Sequence, residues 1–435
     1  MKNDSDNKFF GTLPQKELLK LYAKHVNSPK VRFFKGVGLG VILGERAGVK
    51  INTLEGAKPT DPPMELYDCH TCGGVYNLGH GNQKIVQTLK DALNSGLDIG
   101  DHLQLSEWRA ILGAKLAQLM PPGITKTTFG VSGGEAVDTA IKFSRAYTKR
   151  RKCISAVGGY HGHTGFALAT GDVNFKEKFL WNFPDFKQVP FGDGDTLKNT
   201  ISDDVACVIL EAIPATGGVL IAQEGYFSEV RELCDDHGVM MIIDEVQTGL
   251  GRTGHFWAIN GGLYEQEKVI PDFMVLGKGM SAGIYPLSTC SYKPFIEKEI
   301  FKDDPFIHIS TTGGSELGCV VACKMLDIQS DLMFLSHVKE MGKLFGEGLE
   351  DIANGHPELI KEVRGRGLMW GVEFNNETLG QFAMLSIIKE GVLQNYCGNK
   401  KDTLIMMPPL IVKEEEIKEI IKRIREGVKN INHLV

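Results

Sequence analysis

Three features of this chain have residue types and spacings suited to chemistry. Lys278 stands between Gly277 and Gly279, directly after the apolar run Phe273 to Leu276. A lysine at the edge of a desolvated crevice holds its proton less tightly and becomes an amine nucleophile. Asp244 ends a second apolar run, Val239 to Ile243, within the stretch GVMMIIDEVQTGLGRTG. A carboxylate there is costly unless a cation or several donors meet it, so a cation is expected nearby. Ser132-Gly133-Gly134-Glu135 has the S-x-x-E form of a helix capping box. Bare glycine backbone at a helix amino terminus presents N–H groups beside the positive end of the dipole, which suits a phosphate.

Each motif alone has a plainer reading: a solvated loop lysine, an ordinary cap, a surface arginine. A nucleotide-phosphate loop is excluded, because Gly277-Lys278 is followed by Gly279 rather than Ser or Thr and Asp272 stands where that motif needs glycine. Tyr160-His161-Gly162-His163 contains two imidazoles but no companion ligand pattern, so it reads as an aromatic platform under a flat ring and no metal is expected. Cys69 and Cys72 form a C-x-x-C with no second pair to complete a zinc site and read as structural. Thr311 and Thr312 lie in HISTTGGSE, a loop suited to cradling an anion, and Arg364 and Arg366 lie in VRGRG, where a crevice-facing guanidinium would pair a carboxylate. Taken together, an amine nucleophile, a buried carboxylate, an aromatic platform and a phosphate cradle describe one cofactor, pyridoxal phosphate. Its aldehyde joins a lysine as a Schiff base, and its protonated ring nitrogen is the cation Asp244 needs.

These residues need a scaffold that brings strand ends together. Val205 to Leu210 ends on Glu211 just as the other two runs end on Asp244 and Gly277-Lys278, and open α/β sheets bind ligands at the carboxyl ends of their strands. From about residue 123 to 325 short apolar runs alternate with helical patterns, predicting βαβ units and a mostly parallel sheet wrapped by helices. Helices are expected over 83–95, 106–120, 136–150 and 226–237. A short amphipathic helix over 13–27 reads as an arm, and the tail reads as a smaller α+β domain with a strand in VRGRGLMWGVEF. Its final helix carries Ile417, Ile420, Ile421, Ile424, Val428 and Ile431. The expected division is 1–67 as arm and strands packing with the small domain, 68–325 as the large cofactor domain and 326–435 as the small domain.

The chain has 435 residues, 42% hydrophobic and 23% charged, enough for two full cores. A net charge of −6 gives no electrostatic reason to bind nucleic acid or an anionic membrane. With no signal-peptide or membrane-spanning pattern and nine scattered cysteines, the chain reads as a cytoplasmic enzyme with reduced thiols.

The stretches SGGEAVDTAIK, DEVQTGLGRTG and VLGKG, and the region from Asp68 to Phe374 around them, closely resemble the class III, or ω-, aminotransferases of pyridoxal-phosphate fold type I. That group includes the acetylornithine, ornithine and 4-aminobutyrate enzymes. The resemblance implies that Lys278 carries the internal aldimine and shuttles a proton, that Asp244 keeps the pyridine nitrogen protonated and that Gln247 bonds near the phenolic oxygen. It implies further that Tyr160 stacks on the ring, that Gly133 and Gly134 meet the phosphate, and that Thr311 reaches the phosphate of a neighbouring subunit in a homodimer or larger assembly. Arg364 matches an arginine that binds the substrate α-carboxylate. The implied reaction moves an amino group from an amine or amino acid to a 2-oxo acid. Three positions depart from the family: Thr216 in EAIPATGG replaces a glutamate that masks the arginine, so Arg364 is expected to stay open; Gly134 replaces a hydroxyl residue; Ser315-Glu316 replaces Asn-Pro. A racemase or epimerase and a decarboxylating transaminase remain alternatives, as does a non-catalytic cofactor-binding protein.

Overall fold

The structure is a computed structural model that describes residues 13–56, 61–100, 103–179 and 183–433. At its centre is a seven-stranded sheet in the spatial order Phe186–Val189, Lys152–Ala156, Val205–Glu211, Met240–Asp244, Phe273–Leu276, Ser288–Tyr292, Lys126–Gly130. The first five are mutually parallel. Ser288–Tyr292 runs antiparallel to both of its neighbours. All residues of the three central strands are buried, as expected of strands covered on both faces by crossover helices.

One such helix, Tyr226–His237, buries Tyr226, Phe227, Val230, Leu233 and Cys234 against the sheet. It ends at Gly238, whose φ of 60° is the left-handed cap that lets the chain turn into the strand bearing Asp244. Helix Gly133–Thr148 is capped by Ser132, whose hydroxyl accepts from Glu135 N at 3.3 Å. The expected capping box is modified: the Glu135 carboxylate reaches back to Val131 N, at 2.7 Å, rather than to Ser132 N.

A second apolar core joins both ends of the chain, packing Leu39, Val49, Tyr67 and Cys69 with Phe345, Phe374, Ile417 and Ile424. The amino-terminal strands Leu43–Ala47, Lys50–Thr53 and Glu65–Asp68 are completed by Val392–Leu393, which pairs parallel to Glu65–Asp68. Three points differ from the sequence expectation. The arm is two helices, Gln15–His25 and Ser28–Gly36, the second started by the Asn27 side chain and a proline in its first turn. VRGRGLMWGVEF is not one strand but parts of two, Ile360–Arg366 and Met369–Phe374, paired antiparallel. Residue 325 falls inside helix Glu316–Gln329, whose Cys319, Val321, Met325 and Leu326 belong to the large-sheet core.

Candidate active site

The strand ends converge as the apolar runs imply. Glu211 and Asp244 are directly opposed in the register of adjacent parallel strands, and both are buried. They line a cavity of about 230 Å³ together with Ser132, Gly133, Gly134, Tyr160, Gln247 and Lys278, among others. Gly277 allows the approach of helix to strand end: a Cβ there would lie 3.2 Å from Gly133 Cα, so a side chain would force that contact open by a few tenths of an ångström. Lys278 has a φ of 43°, an uncommon backbone state for a residue with a side chain.

Electrostatics at the site follow from these positions. Lys278 Nζ donates to Gln247 Oε1 at 2.8 Å. Burial pushes its ammonium below the ordinary 10.5, against the opposing pull of Asp244 and Glu211. The partner of Asp244 within the chain is His161, whose Nδ1 lies 2.7 Å from Oδ2, while Asp244 Oδ1 accepts from Val246 N at 2.9 Å. Burial disfavours charge on the His161 ring, but the hydrogen bond to Asp244 and the fields of Asp244 and Glu211 outweigh it and raise its pKa. Burial drives the Glu211 carboxyl up to about 7, helped by Asp244 and opposed by His161 and Lys278. Its Oε1 accepts from Tyr160 N at 3.0 Å, so the same carboxyl fixes the backbone of the aromatic residue.

The turn at Thr71–Gly74 lies over Lys278. Thr71, Cys72, Gly73 and Gly74 all have positive φ, and a Cβ on Gly73 would sit 3.5 Å from Lys278 Cε. Asp68 holds this turn, accepting from Thr71 N at 2.7 Å and pairing with His80 Nε2 at 2.8 Å. Fully buried Arg252 ties it to the rest of the molecule, donating to Asn77 Oδ1, Leu368 O and Pro408 O.

The structure thus brings Lys278, Asp244, Gly133, Gly134, Tyr160 and Gln247 to one cavity. Thr311 is exposed and does not line it. Arg364 also lies outside its lining, and the expectation that it stays open is corrected. Its guanidinium meets Glu373 at 2.7 Å and Glu362 at 2.8 Å, and its Nε donates to Gly218 O at 2.8 Å. Strand pairing is the reason: Glu373, on the partner strand of the hairpin, brings its carboxylate to the same guanidinium that Thr216 leaves unmasked.

Sequence reasoning weighed His161 only as a metal ligand, rejected that reading and gave it no other role, and it set Glu211 at the crevice without assigning it one. The signal for both was in place, since Glu211 ends a core strand and His161 follows the aromatic residue. Among the described residues no group of three or more His, Cys, Asp or Glu side chains is arranged to hold a metal ion. None of their helices is long and apolar enough to cross a membrane.

The family model for class-III aminotransferases matches residues 42–428. The chain belongs to that family. This aminotransferase is 44% identical over 416 residues to an uncharacterized aminotransferase of Archaeoglobus fulgidus, covering 96% of this chain and 95% of that one. Among solved structures, it resembles the acetylornithine aminotransferase of Elizabethkingia anophelis at 27% identity and a TM-score of 0.80, over 96% and 100% of the two chains. The ornithine aminotransferase of Toxoplasma gondii shares its fold, with a TM-score of 0.86 at 23% identity over 97% of both chains. The aminotransferase therefore has the fold type I architecture, a large mostly parallel sheet wrapped by helices with a smaller α+β part beside it.

Proposed function

We propose that this class-III aminotransferase moves an amino group from an amine or amino acid to a 2-oxo acid, with pyridoxal phosphate held at Lys278. The observation that carries the reading is the Lys278 amine, lowered in pKa and bonded to Gln247, facing the same cavity as the Asp244–His161 pair. The chemistry of the lining fits the cofactor: an amine for the aldehyde, a carboxylate for the ring nitrogen, and a capped helix amino terminus with Gly133 and Gly134 for the phosphate. When bound, the cofactor supplies an electrophilic aldehyde and an electron-withdrawing ring.

The protein's own groups do the rest. Lys278 Nζ, whose hold on its proton burial weakens, would hold the aldehyde and carry the proton that leaves the substrate carbon. The Asp244 carboxylate, held in place by His161, would keep a proton on the ring nitrogen. Gln247 orients the lysine amine, and Tyr160, its backbone fixed by Glu211, would present its ring to the cofactor. Exposed Thr311, outside its own cavity, supports a homodimer in which it reaches the partner's phosphate. All nine cysteines are free, which supports a reducing, cytoplasmic setting.

The test uses the holoenzyme and one enantiomer of an amino acid, with and without a 2-oxo acid. Acceptor-dependent appearance of the new amino acid, abolished in Lys278→Ala, is expected. Loss of optical activity without acceptor turnover would replace transamination by racemisation, and carbon dioxide release would replace it by decarboxylation.

A further inference from the structure

Lys278 lines a second cavity of about 370 Å³ that shares Ser132 and Gly133 with the first. Its character is different. Val75, Val131, Ile284, Tyr285 and Leu287 supply its walls, and among the described residues Lys278 is the one charged residue lining it. Two serines are present, but both are engaged within the protein. Ser132 Oγ accepts from Glu135 N, and Ser281 Oγ donates to Lys278 O at 2.7 Å while accepting from Gly283 N at 3.1 Å. Among the described residues no arginine lines either cavity, and Arg364 is engaged by Glu362 and Glu373.

From these walls we infer that the second cavity receives the substrate's side chain, and that the side chain is a hydrocarbon of roughly leucine to phenylalanine size. The inference rests on the proposed reaction at Lys278, because only a substrate whose nitrogen reaches that residue would extend into the adjoining space. A side chain ending in an ammonium would lie against apolar walls and face the Lys278 amine. An apolar side chain meets apolar walls and leaves no polar group unpaired. The enzyme is therefore selective for hydrophobic amines or amino acids over diamines.

The experiment separates this inference from the reaction it rests on. Holoenzyme is reduced with borohydride, the Lys278 peptide is checked by mass for the cofactor adduct, and equilibrium binding of leucine and of 2,4-diaminobutyrate to the reduced protein is measured by calorimetry. With the adduct present, leucine is expected to bind at least about tenfold more tightly, the gain from withdrawing a side chain of that size from water. Ile284→Asp should reverse the order. Val131→Asp, at a position 39% exposed whose backbone N–H still serves Glu135, is a second variant should the first fail to fold. Equal or tighter binding of the diamino acid by the unsubstituted protein, with the adduct in place, would overturn the inference alone. Absence of any adduct on Lys278 would overturn the proposed reaction, and the inference with it.

Discussion

Replacing Glu211 by Gln should remove one component of the protein's pH-dependent instability, and its size follows from the site. Glu211 is 5% exposed, its carboxyl is raised from 4.5 to about 7, and the opposing strand sets Asp244 beside it. Below about pH 4.5 folded and unfolded chains both carry the proton, so the term is absent. Between about 4.5 and 7 the unfolded chain releases its proton while the folded site keeps it, and the folded state loses stability as pH rises. Above about 7 the loss is complete, at roughly 3 kcal/mol. Gln keeps the acceptor for Tyr160 N but gives up the longer bond from Ala215 N, at 3.3 Å. That adds a pH-independent offset of about 1 kcal/mol. Glu245, also raised to about 7 by burial, is present in both proteins and cancels in the difference. For a chain of this length the whole pH-dependent part amounts to about 3 °C in thermal midpoint, of which about 2 °C falls between pH 5.5 and 8.5. Midpoints of the apo forms would be compared at pH 5.5 and 8.5 at one scan rate, and Glu211→Gln should gain on the parent between those values. Parallel midpoints, within about 1 °C, would show that Glu211 is already ionised in the folded protein and refute the argument.

Two further outcomes are expected. A Cβ on Gly134 would fall 2.8 Å from Thr164 Oγ1, and Thr164 stands at a helix start without using its hydroxyl as a cap. The hydroxyl lost at Gly134 is thus restored in space by Thr164, and Thr164→Ala should weaken pyridoxal phosphate binding about tenfold, with Thr164→Ser restoring it, read by titrating the apo protein; an unchanged Kd contradicts this. Burial alone would raise the Glu373 carboxyl, but hydrogen bonds from Lys361, Lys400 and Arg364 hold it at about 2, so its stabilising contribution is present above about pH 4.5 and is lost as pH falls through about 2. Arg364→Met leaves Lys361 and Lys400 in place and should cost roughly 1–3 kcal/mol and advance acid unfolding, followed by circular dichroism, to higher pH. It should leave KM for the 2-oxo acid within about threefold; a large rise in KM with unchanged stability would return Arg364 to the role of carboxylate anchor.

The sequence by itself determined the central strands, the helix that begins at Gly133 and the strand ends on which Glu211, Asp244 and Lys278 stand. Those features are local: apolar runs too short for helices, a capping serine, and polar residues where the runs stop are all written in consecutive positions. Tertiary structure alone decided the partners. That Asp244 meets His161, 83 positions earlier in the chain, that Thr164 fills the space above Gly134, and that Glu373 rather than a neighbour of Thr216 neutralises Arg364 all depend on strand order and register, which no single segment specifies. The same holds for the apolar space beside Lys278, which forms only where Val75, Val131 and Ile284 are folded against one another. A side chain's type limits what it can bind, but which group it binds is settled by long-range packing, where one shift in register would give each charge a different neighbour.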